Sequence, residues 1–430
     1  MGDDADAKDP AEHEVGALAG LRVLDLGRYW AGPLVGTNLG DFGADVIKIE
    51  SVRAPDEWRL GGAREGPAAD LDGVPGWERS AIFNSLNRNK RSISLELHRP
   101  EGRDAFLRLV READVVVENF TPRVMAKFGL DFDRLSLENP QLVMISLPGF
   151  GMTGPQRDYL SFAYPTEEAS GFPWMTGYPD GPPMLWGNAG ADAVAGFFGT
   201  FAVMSALMHA TETAEGVHID LSQVESLTTC LGVELIAAQL EGSLPPRLGN
   251  RDHDAAPSGC YRNQGADEYV AITATNDEQW RALADAIGRS DLAEDPELAT
   301  LAGRQAQADR IDAAIAEWAA GLPALAASDR LVAVGVPVAP VNSAEMMLAD
   351  PVLAGSSLVV ELDRRGNGTH RYGGHWADLS LTPPTIRRAA PWFGEHNDEV
   401  LQAGGFSADE IAALRELGIL HDTLRREGGS

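Results

Sequence analysis

Within GNAGADAVAGFFG, residues 187–199, one carboxylate stands alone. Asp192 is flanked by glycines and alanines and followed by an uncharged run, 193–208. An acid at the mouth of an apolar helix has two readings. It can be an N-cap, its oxygen accepting an orphaned amide of the first turn. It can also be a nucleophile, because the partial positive charge at a helix N-terminus stabilises a carboxylate and any anion that develops beside it. The two roles are compatible. Gly187, Ala189, Gly190 and Ala191 are small enough to admit a substrate close to the main chain.

Other chemistries lack their residues. A dinucleotide site needs G-x-G-x-x-G after the first strand. Here Gly27, Gly32 and Gly36 are wrongly spaced, and Tyr29 and Trp30 fill the turn. Glu50 ends the second strand and reads as a solvent-facing residue. No P-loop is present for a nucleoside triphosphate. Nor is there a HExxH, a His/Cys cluster for a metal, or a GxSxG elbow. His218 and His370 read as surface or strand residues.

The elements that must hold Asp192 follow from the pattern. LRVLDLG (21–27) and ADVIKIE (44–50) are strand-like and enclose the helical AGPLVGTNLGDFG (31–43), a right-handed βαβ unit. RSISLEL (91–97), ADVVVENF (113–120) and QLVMISLPGFG (141–151) add strands. PEGRDAFLRLVREA (100–113) adds an amphipathic helix with Pro100 in its first turn. Alternating strands and helices predict an α/β, doubly wound, Rossmann-like large domain, with ligands beyond the carboxyl ends of its strands. After the polar loop GNRDHDAAPSG (249–259), EYVAITATNDEQWRALADAIG (268–288) reads as strand, cap at Thr275 or Asn276, and helix. GVPVAPVN (335–342) looks like a stiff connector, 358–380 like short antiparallel strands, and SADEIAALRELGIL (407–420) like a helix with a Ser407–Glu410 capping box. The expected order is a disordered leader 1–15, large domain 16–225, helical linker 226–250 and smaller α+β domain 251–345. A linker with short strands, 346–375, and a return to the large domain, 376–430, complete it.

With 430 residues, the chain exceeds one ordinary domain of about 100–200. Its net charge of -29 argues against nucleic acid and anionic membranes as partners. Cys230 and Cys260 make no disulfide framework and fit a reducing, cytoplasmic setting. The acidic start MGDDADAKDPAEHE lacks the apolar region of a signal peptide. The 193–208 run is shorter than the roughly 18 residues of a membrane span and reads as a helix buried in a large protein. Lys48, Arg53, Lys90, Arg91, Arg99, Arg123 and Lys127 supply positive charge in the N-terminal third, where a polyanionic ligand could bind.

RVLDLGRYWAGPLVGTNLGDFGADVIKIES, FNSLNRNKRSISLEL, ADVVVENFTPRVMAKFGLDFDRL, ISLPGFGMTGPQRD, MTGYPDGPP and GVHIDLSQVES together resemble the family III CoA-transferases, from about Leu18 to Leu420. FNSLNRNKRS and TGYPDGPP point to the benzylsuccinate-type branch. The resemblance implies an interlocked dimer, with a heteromer of related subunits as an alternative. It implies coenzyme A thioesters and carboxylic acids as substrates, succinyl-CoA being a plausible donor. No metal or nucleoside triphosphate is needed. The family's nucleophilic aspartate follows a GPP turn; counting from Gly181-Pro182-Pro183 without a gap lands on Asp192.

Family CoA contacts fall on Arg28, Trp30, Ala31, Ser51, Arg53, Leu95, His98, Asn119, Phe120 and Lys127, with Phe120 placed to flank adenine. Phe162, Ala163, Glu168 and Gly259 fall in the substrate pocket, although Glu167 and Glu168 read more readily as helix-surface acids. Arg28 and Trp30 replace the His and Gln of the oxalate-using branch, which disfavours oxalate. Phe162 and Ala163 replace the His-Asp pair of the related racemases and cannot move protons. HDAAPSG (253–259) matches a glycine-rich flap, with Gly259 amides as possible oxyanion donors. Trp30, Phe162, Trp174 and Trp186 suggest a bulky, apolar acceptor acid. An acyl-CoA racemase or isomerase and a non-catalytic partner subunit are the competing readings.

Overall fold

The computed structural model describes residues 16–61, 70–187, 189–242 and 246–424; the leader expected over 1–15 lies outside them. The chain divides into two compact units. The first holds the stretches up to Phe172, Leu185–Ile236 and from Pro351 onward; the second holds Pro173–Met184 and Ala237–Asp350.

The first unit is built on six strands: β1 (Arg22–Asp25), β2 (Asp45–Glu50), β3 (Lys90–Ser94), β4 (Val115–Glu118), β5 (Val143–Ser146) and β6 (Val217–Asp220). They pair in the order β3-β2-β1-β4-β5-β6, every pair parallel. Order reverses between β1 and β4, so the crevice beyond the carboxyl ends of those two strands is the place for a ligand. Alternation along each strand sorts side chains onto two faces. Leu24, Ile47, Val116 and Met144 share a core with Phe106 and Leu109 of α2 (Pro100–Val110). Val400 and Leu401 of α9 (Asn397–Ala403) and Ile411 of α10 (Ala408–Glu416) join it. The C-terminal segment therefore packs as part of the first unit. Val23, Val46, Val115 and Val143 share the opposite core with Val35 and Leu39 of α1 (Ala31–Asp41) and Val203 and Ala206 of α5 (Gly190–Thr213).

α1 and α5 approach closely because glycines allow it. A Cβ at Gly196 would stand 2.7 Å from Leu34, and one at Gly199 would stand 2.9 Å from Val35. Burial of α5 is one-sided. Its other face exposes Phe197, Phe198, Phe201 and Met208, so the expectation of a helix buried all round holds for one face only. It is the one helix among the described residues long and apolar enough to cross a membrane.

The second unit carries the antiparallel sheet of β7 (Ser258–Arg262), β8 (Tyr269–Thr273) and β9 (Val338–Pro340). Three helices, α6 (Asp277–Ala286), α7 (Ala308–Ala319) and α8 (Ala324–Val332), supply Trp280, Ile315 and Leu331 to its core. β9 falls where the stiff connector was expected; its main chain pairs with β8. Pro173–Met184, placed in the large domain by the sequence reading, belongs here. Arg247 donates to the Gly181 carbonyl at 2.8 Å, and Gly249 N–H donates to the Gly177 carbonyl at 2.9 Å. The linker boundaries at 226–250 and 346–375 shift likewise, the expected strands returning to the first unit as β10 (Val359–Arg364) and β11 (Gly368–Gly373).

Candidate active site

The loop after β1 is held by its neighbours at the reversal point. Asn119, just past β4, accepts from Arg28 N–H at 2.8 Å and donates to the Arg28 carbonyl at 2.8 Å. Tyr29 adopts φ 60°, a left-handed conformation that costs a bulky residue energy. Asp56 stabilises it, accepting from Tyr29 N–H at 3.2 Å. Asp56 also pairs with the buried Lys48 ammonium at 2.8 Å, and Lys48 donates to the Gly27 carbonyl. Arg28 reaches out to the Pro55 carbonyl at 2.7 Å and to Glu57. This turn therefore delivers the first amide of α1, that of Ala31, in a fixed place.

Asp192 meets that amide. It lies in the first turn of α5 and is buried, 8% exposed, yet it does not cap its own helix: no side chain within α5 or its N-cap residue, Ala189, does so. The cap comes from α4 (Ala163–Ala169). Glu167, fully buried, accepts from Gly190 N–H at 3.1 Å and from Trp186 N–H. Burial pushes the Asp192 carboxyl up to about 6; the Ala31 amide opposes the rise, and the charge of Glu167 adds to it. Among the described residues no cation acts on this carboxylate. Another acid occupies the helix end, and Asp192 is left desolvated, uncapped and more basic than an ordinary aspartate.

A family model, CoA-transferase family III, matches residues 18–397. The succinate–glutarate CoA-transferase of Agrobacterium fabrum is 36% identical, over 89% of this chain and 94% of that protein. The succinyl-CoA–L-malate CoA-transferase beta subunit of Chloroflexus aurantiacus is 33% identical, over 93% and 96%. The crystal structure of a CaiB/BaiF family protein from Brucella suis superposes with a TM-score of 0.82 at 32% identity, covering 91% of this chain and all of that one. This chain belongs to CoA-transferase family III.

In this CoA-transferase the expected CoA residues fall along the carboxyl edge of the sheet, but they differ in what they can touch. Ser51, Arg53 and His98 gather round a residue the sequence reading missed, the buried Glu96. Ser51 Oγ donates to it at 2.7 Å, Val52 N–H donates at 2.8 Å, and His98 Nδ1 lies 3.0 Å away. Arg53 Nη1 stands 3.3 Å from His98 Nε2. Lys127 is exposed on α3 (Arg123–Phe128). Trp30 is half-buried at the start of α1, and Phe120 is half-buried against the core. The Leu95 side chain points into the core at 1% exposure, its N–H donates to the Glu50 carbonyl at 2.7 Å, and its carbonyl accepts from Leu97 N–H at 3.1 Å.

The broader basic patch needs correction. Lys48 and Lys90 are fully buried in pairs with Asp56 and Asp25, and Arg91 is committed to Asp45 and Glu399. Glu50 is buried against Arg59 at 2.9 Å, not solvent-facing. On α4 the choice between neighbours was reversed: Glu168 is exposed, and Glu167 faces the site. Phe162 is exposed and packs edge-on against Tyr29, centroids 5.5 Å apart, with Ala163 following at the start of α4. Gly259 lies in β7 of the second unit, paired with Ile272. Trp174 also belongs to that unit, whereas Trp186 tilts onto Phe172 in the first.

Proposed function

We propose that this CoA-transferase acts through Asp192 as a covalent nucleophile. An Asp192 oxygen attacks the donor thioester carbonyl, and the C–S bond breaks to give a mixed anhydride and CoA thiolate. The thiolate attacks the aspartyl carbonyl; the anhydride C–O bond breaks, leaving an aspartyl-CoA thioester and the free donor acid. The acceptor carboxylate attacks that thioester, again releasing thiolate. A last attack on the acceptor carbonyl yields the new acyl-CoA and restores Asp192. Bonds of similar energy are exchanged at each stage, so the sequence needs no nucleoside triphosphate. The observation that carries this reading is the desolvated Asp192 carboxyl at the Ala31 amide, which a capping role would have placed elsewhere.

The relatives' names support succinyl-CoA as donor and a short dicarboxylic acid as acceptor. The bulky acceptor suggested by the tryptophans has less support, since Trp174 and Trp186 belong to different units. CoA would lie along Arg53, His98 and Lys127. The exposed apolar face of α5 supports a dimer in which a second copy covers Phe197, Phe198 and Phe201. Relatives named as alpha and beta subunits keep a heteromer in view. The decisive experiment incubates the protein with succinyl-CoA, traps with hydroxylamine, and maps the peptide by mass spectrometry. A modified Asp192 is expected; turnover with Asp192 unmodified would reject the mechanism. Sedimentation should give a dimer, and Phe201→Glu should weaken it.

A further inference from the structure

We propose that Glu96 is a positioning residue for CoA: it fixes His98 and Arg53 as the pair that receives a phosphate of the coenzyme. The inference rests on the placement of CoA along Arg53, His98 and Lys127 proposed above, and deepens it. β2 and β3 end in register, Glu50 opposite Ser94, so the segments that follow them leave the carboxyl edge of the sheet side by side. Ser51, Val52 and Arg53 belong to the first segment, Glu96 and His98 to the second. Glu96 joins the two. Its Oε1 accepts from Val52 N–H at 2.8 Å. Its Oε2 accepts from Ser51 Oγ at 2.7 Å and lies 3.0 Å from His98 Nδ1. Ser51 Oγ in turn accepts from Arg53 N–H at 3.1 Å.

The main chain beneath this acid is held on every side. Glu96 N–H donates to the Ile419 carbonyl at 3.2 Å, and the Glu96 carbonyl accepts from Arg99 N–H at 3.0 Å. α2 packs against it so closely that a Cβ at Gly102 would stand 2.2 Å from the same carbonyl oxygen. The His98 carbonyl accepts from Arg103 Nη1 at 3.0 Å. A buried side chain on so fixed a main chain is a reference point for whatever it holds.

What it holds faces outward. The His98 side chain is 38% exposed, with its Nδ1 edge on Glu96, and its Nε2 edge meets Arg53 Nη1 at 3.3 Å. Arg53 is exposed, and among the described residues it makes no ion pair. It differs in this from Lys48, Lys90 and Arg91 of β2 and β3, each bound to an acid. A guanidinium without an acid partner, kept beside an imidazole by a buried acid, is a donor set for phosphate oxygens. Contacts among exposed groups contribute little to the stability of a fold. Ordering those groups in advance removes a cost that a ligand would otherwise meet on binding.

The test is the dissociation constant of CoA, measured by calorimetric titration, for wild type, Glu96→Gln, Arg53→Ala/His98→Ala and the triple variant. Val52 N–H can only donate, so a glutamine keeps its oxygen there and turns its NH2 toward Ser51 and His98, releasing the ring. Glu96→Gln should weaken CoA binding about three- to tenfold. In the background lacking Arg53 and His98, the same substitution should cost less than about twofold, because the groups it acts through are gone. The loss should be largest at low ionic strength, as for an exposed contact with phosphate. Unchanged affinity in folded Glu96→Gln overturns the proposal, and so does an equal loss in both backgrounds. A loss independent of salt overturns the assignment to phosphate. Should Glu96→Gln not fold, Glu96→Asp, one methylene too short to reach His98, is read in its place with the same expectations. Unchanged affinity in Arg53→Ala/His98→Ala would reject the placement of CoA itself, and the proposal with it.

Discussion

Buried carboxylates occur in two settings in the first unit, and the settings are opposites. Around β1–β3 four buried acids face buried cations. Lys90 sits 2.7 Å from Asp25, Lys48 2.8 Å from Asp56, and Arg59 bridges Glu50 and Glu78 at 2.9 and 2.8 Å. Arg364 adds a second contact to Glu78 at 2.9 Å, and the Phe83 ring lies 3.8 Å beneath the Arg59 guanidinium. At the start of α5, by contrast, Asp192 and Glu167 have amides and each other. The first setting neutralises charge for the sake of the scaffold. In the second, no cation among the described residues faces Asp192, which fits the nucleophilic role proposed for it.

The sharpest way to break the comparison is to neutralise one member of each setting. Asp192→Asn should abolish CoA transfer, a loss on the order of 10³-fold or more. It should also stabilise the protein above pH 6. The carboxyl is raised to about 6, so the folded wild type holds its proton more tightly than the unfolded chain, and its stability falls as pH rises from about 4 to 6. Asparagine escapes that fall. Its advantage in urea unfolding should grow across this window to at most about 3 kcal/mol at neutral pH. A variant that keeps activity, or is no more stable at pH 7.5 than at pH 4.5 relative to wild type, contradicts the reading. Arg59→Met should do the reverse, leaving Glu50 without its paired cation and Glu78 with Arg364 alone, at a cost of about 3–5 kcal/mol. Equal stability of Arg59→Met and wild type in urea would mean that the cluster contributes nothing.

The sequence carried the scaffold further than the electrostatics. Five strands, the Ser407–Glu410 capping box and the Asn276 cap were legible because period, turn residues and caps are local. Asp192 was singled out by its odd surroundings and by family motifs. Lys48 and Lys90 were misread because a cation looks the same in sequence whether it meets water or an acid 65 positions away, as Lys90 meets Asp25. Glu167 and Glu168 were exchanged because α4 spans seven residues, too short for its pattern to set which neighbour turns inward. Glu96 left one signal, an acid between Leu95 and Leu97 in an apolar run. An acid there has to be held by something, and Ser51, Val52 and His98 hold it.

Glu118 tests whether the same logic reaches the reversal point of the sheet. Burial pushes its carboxyl up to about 7, although a Ser146 hydrogen bond and the Phe120 amide, at 2.7 Å, oppose the rise. Wild-type stability should therefore fall as pH rises from about 4.5 to 7, by up to roughly 3 kcal/mol. Glu118→Gln, which imitates the protonated acid, should lose that slope. Parallel urea midpoints for the two proteins between pH 5 and 8 would show that Glu118 does not titrate in this range.

The smallest effect separates exposed cations from buried ones. Lys127 is exposed on α3, so its attraction to CoA phosphates would be screened by salt. Lys127→Ala should raise KM for acyl-CoA about two- to fivefold at low ionic strength, with kcat and unfolding midpoint unchanged, and the difference should shrink by 0.5 M salt. Lys48→Met should behave in the opposite way. It removes a charge that water and salt do not reach, so it should lower the unfolding midpoint at every ionic strength. A salt-independent KM effect at Lys127 would place that cation in a desolvated contact, and the division between scaffold charges and ligand charges would then have to be redrawn.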